Sequence, residues 1–449
     1  MLIINGKIIT WEIDNQILEN GAMLIQDGRI AEFGNSIEMQ RRYPQEEVLD
    51  AHGQYVMPGN ICAHTHFYGA FARGMAIPGQ APKDFPEILQ KLWWPLDRSL
   101  THEDVLLSTR VMLADAIRHG TTTLIDHHAS PNAIEGSLDV IADAVEKAGV
   151  RAVLCYEVTD RDGEAKAKAG IEENLRFLRR MANESNPLIR ATFGLHASLT
   201  LSDATLDACR VAVPNGVGFH IHAAESDADQ YDSLAKSGMR VVDRLHRHGI
   251  LGDNTILAHC VHVDAREAEI LAESGSWVTH QPRSNMNNAV GVAPVESLLR
   301  IGVPVCLGTD GFTSTMWEEW KFAYLLHKVW HRDPRRMPAD VVAEMAIYNN
   351  AALVGKFFRE APIGVIQPGA LADLILVDYH PFTPLTPQNL PWHIVFGFHE
   401  SMITTTMVNG KVLMRERRLL TLDEEEIAYK AREFAQRAWQ RYQNNATLR

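Results

Sequence analysis

The run "PGNICAHTHFYGA", residues 58–70, decides how this chain reads. Pro58-Gly59 stops the preceding segment, and an apolar stretch then ends in two histidines, His64 and His66. In a strand, side chains at i and i+2 share a face, with Cα atoms about 6.5–7 Å apart. Two imidazoles so placed can converge on one ion, because a metal–nitrogen bond is only about 2.0–2.1 Å. Two unrelated core or surface histidines would give the same local pattern, so the surrounding sequence has to decide.

Working outward, residues 58–361 alternate short apolar runs with amphipathic helical segments. The runs are "NICAHTH", "TTTLIDHHA", "RAVLCYEVTD", "IRATFGLHAS", "VGFHIHAAE", "NTILAHCVHV", "SWVTHQPRSN" and "VPVCLGTDG". Helical segments such as "EDVLLSTRVMLADAIRHG" and "AREAEILAESG" end in a glycine just past their last periodic residue. Eight strand–helix units over about 300 residues have the rhythm of a (β/α)8 TIM-like barrel. A doubly wound open sheet is the alternative, but no Gly-x-Gly-x-x-Gly follows the first strand to support it. Flanking the barrel, residues 1–57 and 362–422 alternate short strands with turn pairs. Asn5-Gly6, Asp27-Gly28, His52-Gly53 and Asn409-Gly410 read as hairpin turns. Neither flank has enough strands to bury a face alone, so the two are expected to form one small composite β-domain, a sandwich built from both chain ends. Residues 423–449 read as a charged amphipathic helix.

Composition narrows the function. The chain has 449 residues and a formal net charge of -13, from 43 basic and 56 acidic residues. That balance speaks against nucleic acid and anionic membrane surfaces as partners, and the short basic cluster Arg335-Arg336 reads as solvated surface. No stretch approaches the ~18 apolar residues of a membrane span, and "MLIINGKIITWEI" does not read as a secretory signal. The five cysteines are scattered without Cys-x-x-Cys spacing, as expected of reduced thiols in a cytoplasmic protein.

The polar residues fall where a barrel builds its chemistry, at the C-terminal ends of the strands. Strand one ends in His64 and His66, strand five in His220, His222 and Glu225, strand six in His259, and strand eight in Asp310. One such histidine means little; a set on four strand ends has no simple packing explanation. The second strand ends in Asp126, His127 and His128, where a pocket role and a structural role stand equal. The seventh ends in Arg283, Ser284, Asn285, Asn287 and Asn288, a run too polar to be buried without partners. Asn285 and His128 are candidate substrate contacts, as is Arg73, which could equally meet a neighbouring carboxylate. Trp93-Trp94 and Phe67-Tyr68 offer rings to stack on a planar substrate, although core packing is the commoner use of aromatic side chains.

Together "PGNICAHTH", "HIHAAE", "AHC", "GTDG" and "GALADLILVD" resemble the amidohydrolase superfamily, in its cytosine, guanine and adenosylhomocysteine deaminase and triazine hydrolase branch. The runs "KLWWPLDRSL", "DHHASP" and "RSNMNN" resemble the SsnA group of aminohydrolases within it. The resemblance spans essentially the whole chain. It implies that His64, His66, His222 and Asp310 ligate a metal, that Glu225 shuttles a proton, and that His259 holds the attacking water or the polarised substrate atom. Binuclear members carry a lysine at the end of strand four, where this chain has His196. The resemblance therefore implies one divalent metal, with His196 as a substrate contact. Three nitrogens and one carboxylate suit Zn2+, with Fe2+ or Mn2+ as alternatives.

The implied activity is deamination of a nitrogen heterocycle (purine, pyrimidine, pterin or triazine type) by attack of metal-bound hydroxide, in a homo-oligomer. Alternatives are hydrolytic dechlorination or cyclic-amide opening in the same site, and a catalytically inactive barrel serving as a binding module. The inactive module predicts missing ligands, and none is missing.

Overall fold

In the computed structural model, which describes residues 1–447, strands from the two ends of the chain pair into one sheet. Strands β1 (Leu2–Ile9), β2 (Ile17–Gln26), β3 (Arg29–Asn35), β4 (Val48–Asp50) and β5 (Tyr55–Pro58) come first. The barrel strands follow: β6 (Asn60–Thr65), β7 (Thr121–His128), β8 (Arg151–Tyr156), β9 (Ile189–Ala191), β10 (Phe193–Ala197), β11 (Phe219–Ala223), β12 (Ile256–His259), β13 (Trp277–His280) and β14 (Val305–Leu307). The last four are β15 (Leu374–Val377), β16 (Ile403–Val408), β17 (Lys411–Arg415) and β18 (Arg418–Leu419).

Strand β5 pairs antiparallel with β15, joining both flanks into one nine-stranded sheet in the order β18-β17-β16-β15-β5-β1-β2-β3, with β4 also on β1. Ile3, Ile8, Met23, Ile25, Val56, Leu374 and Met407 from the two flanks share one core. Asp27-Gly28 and Asn409-Gly410 make the expected turns, joining β2 to β3 and β16 to β17. The other two pairs do not make hairpins. Asn5, with φ 55°, and Gly6 lie inside β1 where its register slips against β2, a bulge rather than a turn. His52-Gly53 joins β4 to β5, and both run parallel to the same β1. An Asn-Gly pair supplies positive φ for either purpose, and only the partner strand decides which.

The eight barrel runs form the expected parallel ring with one irregularity, a fourth strand split at Thr192. β9 pairs with β8, and β10 pairs with β11. The ring closes through the bridges Val158↔Leu195 and Thr65↔Asp310, the second reinforced by Thr309 N–H and Asp310 N–H donating to the His64 carbonyl at 3.0 Å. Gly308 is required at this seam, since a Cβ there would stand 2.7 Å from the His64 backbone nitrogen.

A buried ion pair ties ring to sheet, with Arg151 Nε 2.7 Å from Asp373 Oδ2. At the opposite end, the helix Glu424–Thr447 packs against the segment that walls the barrel mouth. There Trp439 Nε1 donates to the Phe71 carbonyl and Arg441 Nε to that of Ser99, both at 2.7 Å. Residues 448 and 449 of the expected C-terminal helix lie outside the described residues. All five cysteines are free and buried. No helix among the described residues is long and apolar enough to cross a membrane.

Candidate metal-dependent active site

The strand ends converge. Four barrel strands deliver residues to the same mouth, so His64 of β6 and His66 just past it meet His222 of β11, His259 of β12 and Asp310 just past β14. Four of the residues in these turns, Ala224, His259, Cys260 and Asp310, hold positive φ of 48–75°. Left-handed backbone at non-glycine residues is costly and clusters at functional sites.

Hydrogen bonds fix which nitrogen of each imidazole is free. His66 Nδ1 donates to the His127 carbonyl at 2.6 Å, and His222 Nδ1 to the His196 carbonyl at 2.7 Å. A carbonyl only accepts, so both Nδ1 atoms carry the proton and both Nε2 atoms present lone pairs. Those two Nε2 atoms face each other at 3.2 Å. Two lone pairs at that distance call for a cation between them. His64 leans on His220 through Nδ1 at 2.9 Å, and its buried Nε2 has no hydrogen-bond partner among the described residues. Asp310 Oδ1 is 3.1 Å from His66 Nε2 and 4.0 Å from His64 Nε2. Around a tetrahedral zinc with bonds of about 2.0–2.1 Å, neighbouring ligand atoms stand about 3.3 Å apart. His64, His66, His222 and Asp310 therefore fit a divalent metal, from the donor set and from its orphaned lone pairs. His127 offers a further nitrogen to the same cluster, within 4.8 Å of those of His64, His66 and His222.

Beside this cluster His259 Nε2, also buried without a hydrogen-bond partner among the described residues, lies 3.5 Å from Glu225 Oε2 and 3.7 Å from Asp310 Oδ2. Its Nδ1 is held by Asn285 Oδ1 at 2.8 Å. Burial pushes the His259 pKa down to about 4, against the pull of Asp310. Burial and the charge of Asp310 raise the Glu225 carboxyl well above its ordinary range. For Asp310 burial works upward, but His66, His259 and His222 outweigh it and hold the group as a carboxylate. Ser284 Oγ donates to Asp310 Oδ2 at 2.5 Å, and Asn288 Nδ2 to Glu225 Oε1 at 3.3 Å.

The cavity over these groups is walled by His66, His196, His222, Glu225, Asp229, Asn288 and Asp310 on its polar side. Tyr68, Phe85, Leu89, Trp93 and Leu199 line its apolar side. His196 is thus at the wall, as expected, and of Phe67, Tyr68, Trp93 and Trp94 it is Tyr68 and Trp93 that reach it, beside Phe85.

Three expected substrate contacts are not on the wall. Asn285 points back to His259, because the run after β13 turns helical over Pro282–Asn287 and carries Asn288 to the cavity instead. His128, one residue after His127 and so on the opposite strand face, bonds Ser130 Oγ at 2.9 Å. Arg73 is half exposed, with Nη1 4.0 Å from Asp115 Oδ1, the neighbouring-carboxylate alternative. Missed altogether was Glu157, buried just past β8 among His66, His127 and His196. Its signal was present in "CYEVTD", a carboxylate at the C-terminal end of the third barrel strand.

Comparison with known proteins places this geometry. Residues 55–413 match the amidohydrolase family model. The 5'-deoxyadenosine deaminase of Methanosarcina mazei is 34% identical over 97% of this chain and 98% of its own length. The 5-methylthioadenosine/S-adenosylhomocysteine deaminase of Syntrophobacter fumaroxidans is 34% identical, covering 97% of each. Among solved structures, an adenosine deaminase from Xanthomonas campestris with bound zinc superposes with a TM-score of 0.86 at 25% identity, covering 97% of this chain and 98% of that one. By sequence and by fold the chain belongs to the amidohydrolase family, and it is a metal-dependent hydrolase acting on C–N bonds.

Proposed function

We propose that this protein is an aminohydrolase that deaminates the adenine ring of an adenosine derivative, with one Zn2+ held by His64, His66, His222 and Asp310. The observation that carries the reading is His259 Nε2 within 3.5 Å of Glu225 Oε2 and 3.7 Å of Asp310 Oδ2, two carboxyl groups that line the cavity beside the metal cluster. Two carboxyl groups and an imidazole at one point can receive and deliver protons around a single carbon. The names of the relatives supply the substrate class.

A bound zinc lowers the pKa of a coordinated water toward about 7. Asp310, fixed by Ser284, accepts the proton that the attacking water loses. Glu225 delivers a proton to the ring nitrogen as the C=N bond opens, so no anion is left there. His259, oriented by Asn285, hydrogen-bonds the incoming oxygen. The exocyclic nitrogen then takes the proton held by Asp310 and leaves as ammonia, while Glu225 takes back the hydroxyl proton as the carbon becomes a carbonyl. His196 and Tyr68 contact the bound ring, and Phe85, Leu89 and Trp93 exclude water above it. In this reading residues 58–361 form the catalytic barrel, 1–57 and 362–422 the composite β-domain, and the helix Glu424–Thr447 follows them. The working form is a homo-oligomer in the cytoplasm.

Ammonia release by zinc-loaded protein tests the proposal across adenosine, 5'-deoxyadenosine, 5-methylthioadenosine, guanine, cytosine, a pterin and a chlorotriazine. Release from the adenosine derivatives is expected. Chloride from the triazine with no ammonia from any adenosine derivative would overturn it.

A further inference from the structure

Glu157 has an environment that the mechanism does not use. It follows Tyr156 at the end of β8, and its side chain is 1% exposed. Oε1 lies 3.3 Å from His66 Nδ1 and 3.5 Å from His127 Nδ1, and Oε2 lies 3.6 Å from His196 Nε2. Among the described residues every partner at ion-pair distance is an imidazole, and Oε1 makes no hydrogen bond. Both nitrogens of His127 are likewise buried without a hydrogen-bond partner among those residues. An anion this deep is costly unless a positive charge answers it. The His66 proton already goes to the His127 carbonyl at 2.6 Å, so Glu157 is not needed to fix that tautomer. What it adds is a fixed negative charge on the far side of the ring from the lone pair of His66.

We infer that Glu157 is a positioning residue of the metal centre, a buried carboxylate behind His66 and His127 whose charge raises the affinity of the cluster for a divalent cation. The inference rests on the reading of His66 as a metal ligand. A carboxylate behind a ligating imidazole makes the ring a better donor, and removing such a partner costs 10–100-fold in metal affinity. The same carboxylate faces His196 on the cavity wall, so one anion braces a metal ligand and a wall residue together.

The test is zinc affinity by chelator competition on the full-length protein, with metal stoichiometry and the melting temperature of the metal-free form measured alongside. Glu157→Gln keeps the shape and removes the charge. Zinc binding is expected to weaken about 10–100-fold, with one zinc per wild-type chain and the metal-free melting temperature unchanged or raised. Glu157→Asp keeps the charge but withdraws it, and a smaller loss of roughly 3–10-fold is expected, below the full cost of losing the partner. If Glu157→Gln does not fold, Glu157→Asp alone decides. Wild-type affinity in folded Glu157→Gln, or in Glu157→Asp where Glu157→Gln does not fold, overturns the inference. So does a wild-type chain holding two zinc ions where Glu157→Gln holds one, since Glu157 would then be a ligand of its own ion. Failure of the underlying reading is distinguishable, because His66→Ala would then keep its zinc.

Discussion

The chain contains two His-x-His pairs on barrel strands, and they are used differently. In His64-Thr65-His66 both rings face the metal cluster. In His220-Ile221-His222 only the second does, while His220 sits deeper, fully buried, with Nε2 2.9 Å from His64 Nδ1. The same i, i+2 spacing puts both members of each pair on the inner face. Spacing cannot set depth, however, and a barrel staggers its strands along the axis. That stagger makes the last histidine of β11 a counterpart of those on β6, and turns its predecessor into a support beneath them.

The largest expected break in the comparison comes from His66→Ala, which should remove the zinc and abolish ammonia release while the fold survives, since a catalytic metal is a small part of the folding energy of a 449-residue chain. Elemental analysis and circular dichroism read this directly, and a variant with wild-type zinc content would remove His66 from the ligand set.

Next comes Glu225→Gln. It should retain zinc and bind substrate with little change in KM, yet lose about 10²–10⁴ in kcat, as expected for a group that moves a proton in the transition state. Loss of the metal instead would make Glu225 a ligand.

A smaller effect sharpens the contrast between the pairs. His220→Leu leaves every proposed ligand in place but strips His64 of its partner, so zinc affinity should fall about 10–100-fold without disappearing. A total loss of zinc, equal to that of His66→Ala, would mean that the two pairs are equivalent after all. Arg73→Ala should do least. Its side chain is 51% exposed and, among the described residues, its ion-pair partner is Asp115, so kcat/KM should stay within about twofold, an energy of the ~0.5 kcal/mol size usual for surface substitutions.

Legibility followed periodicity. The eight runs, their order and the polar residues at their ends could be read because strand alternation and the C-terminal rule of barrels are local properties carried in a few residues each. Turn pairs were less informative: Asp27-Gly28 closes a hairpin while Asn5-Gly6 bulges inside a strand, although Asn5 and Asp27 hold nearly the same positive φ. The polar run after β13 was recognisable as a run that needs partners. Its helical turn, which sends Asn285 to His259 and Asn288 to the cavity, depends on what packs around it.

By itself, then, the sequence determined the barrel, the pairing of its two flanks and the residue types gathered at one mouth, because each follows from spacing along a strand. Tertiary structure alone decided which of those residues meet. His128 faces away from His127 toward Ser130, and Arg73 turns outward to Asp115. Glu157, unremarkable within "CYEVTD", becomes the buried anion shared by His66, His127 and His196. The physical reason is that a side chain's neighbours across a barrel are set by stagger and closure, which arise between strands tens to hundreds of residues apart. No window of the sequence carries that distance.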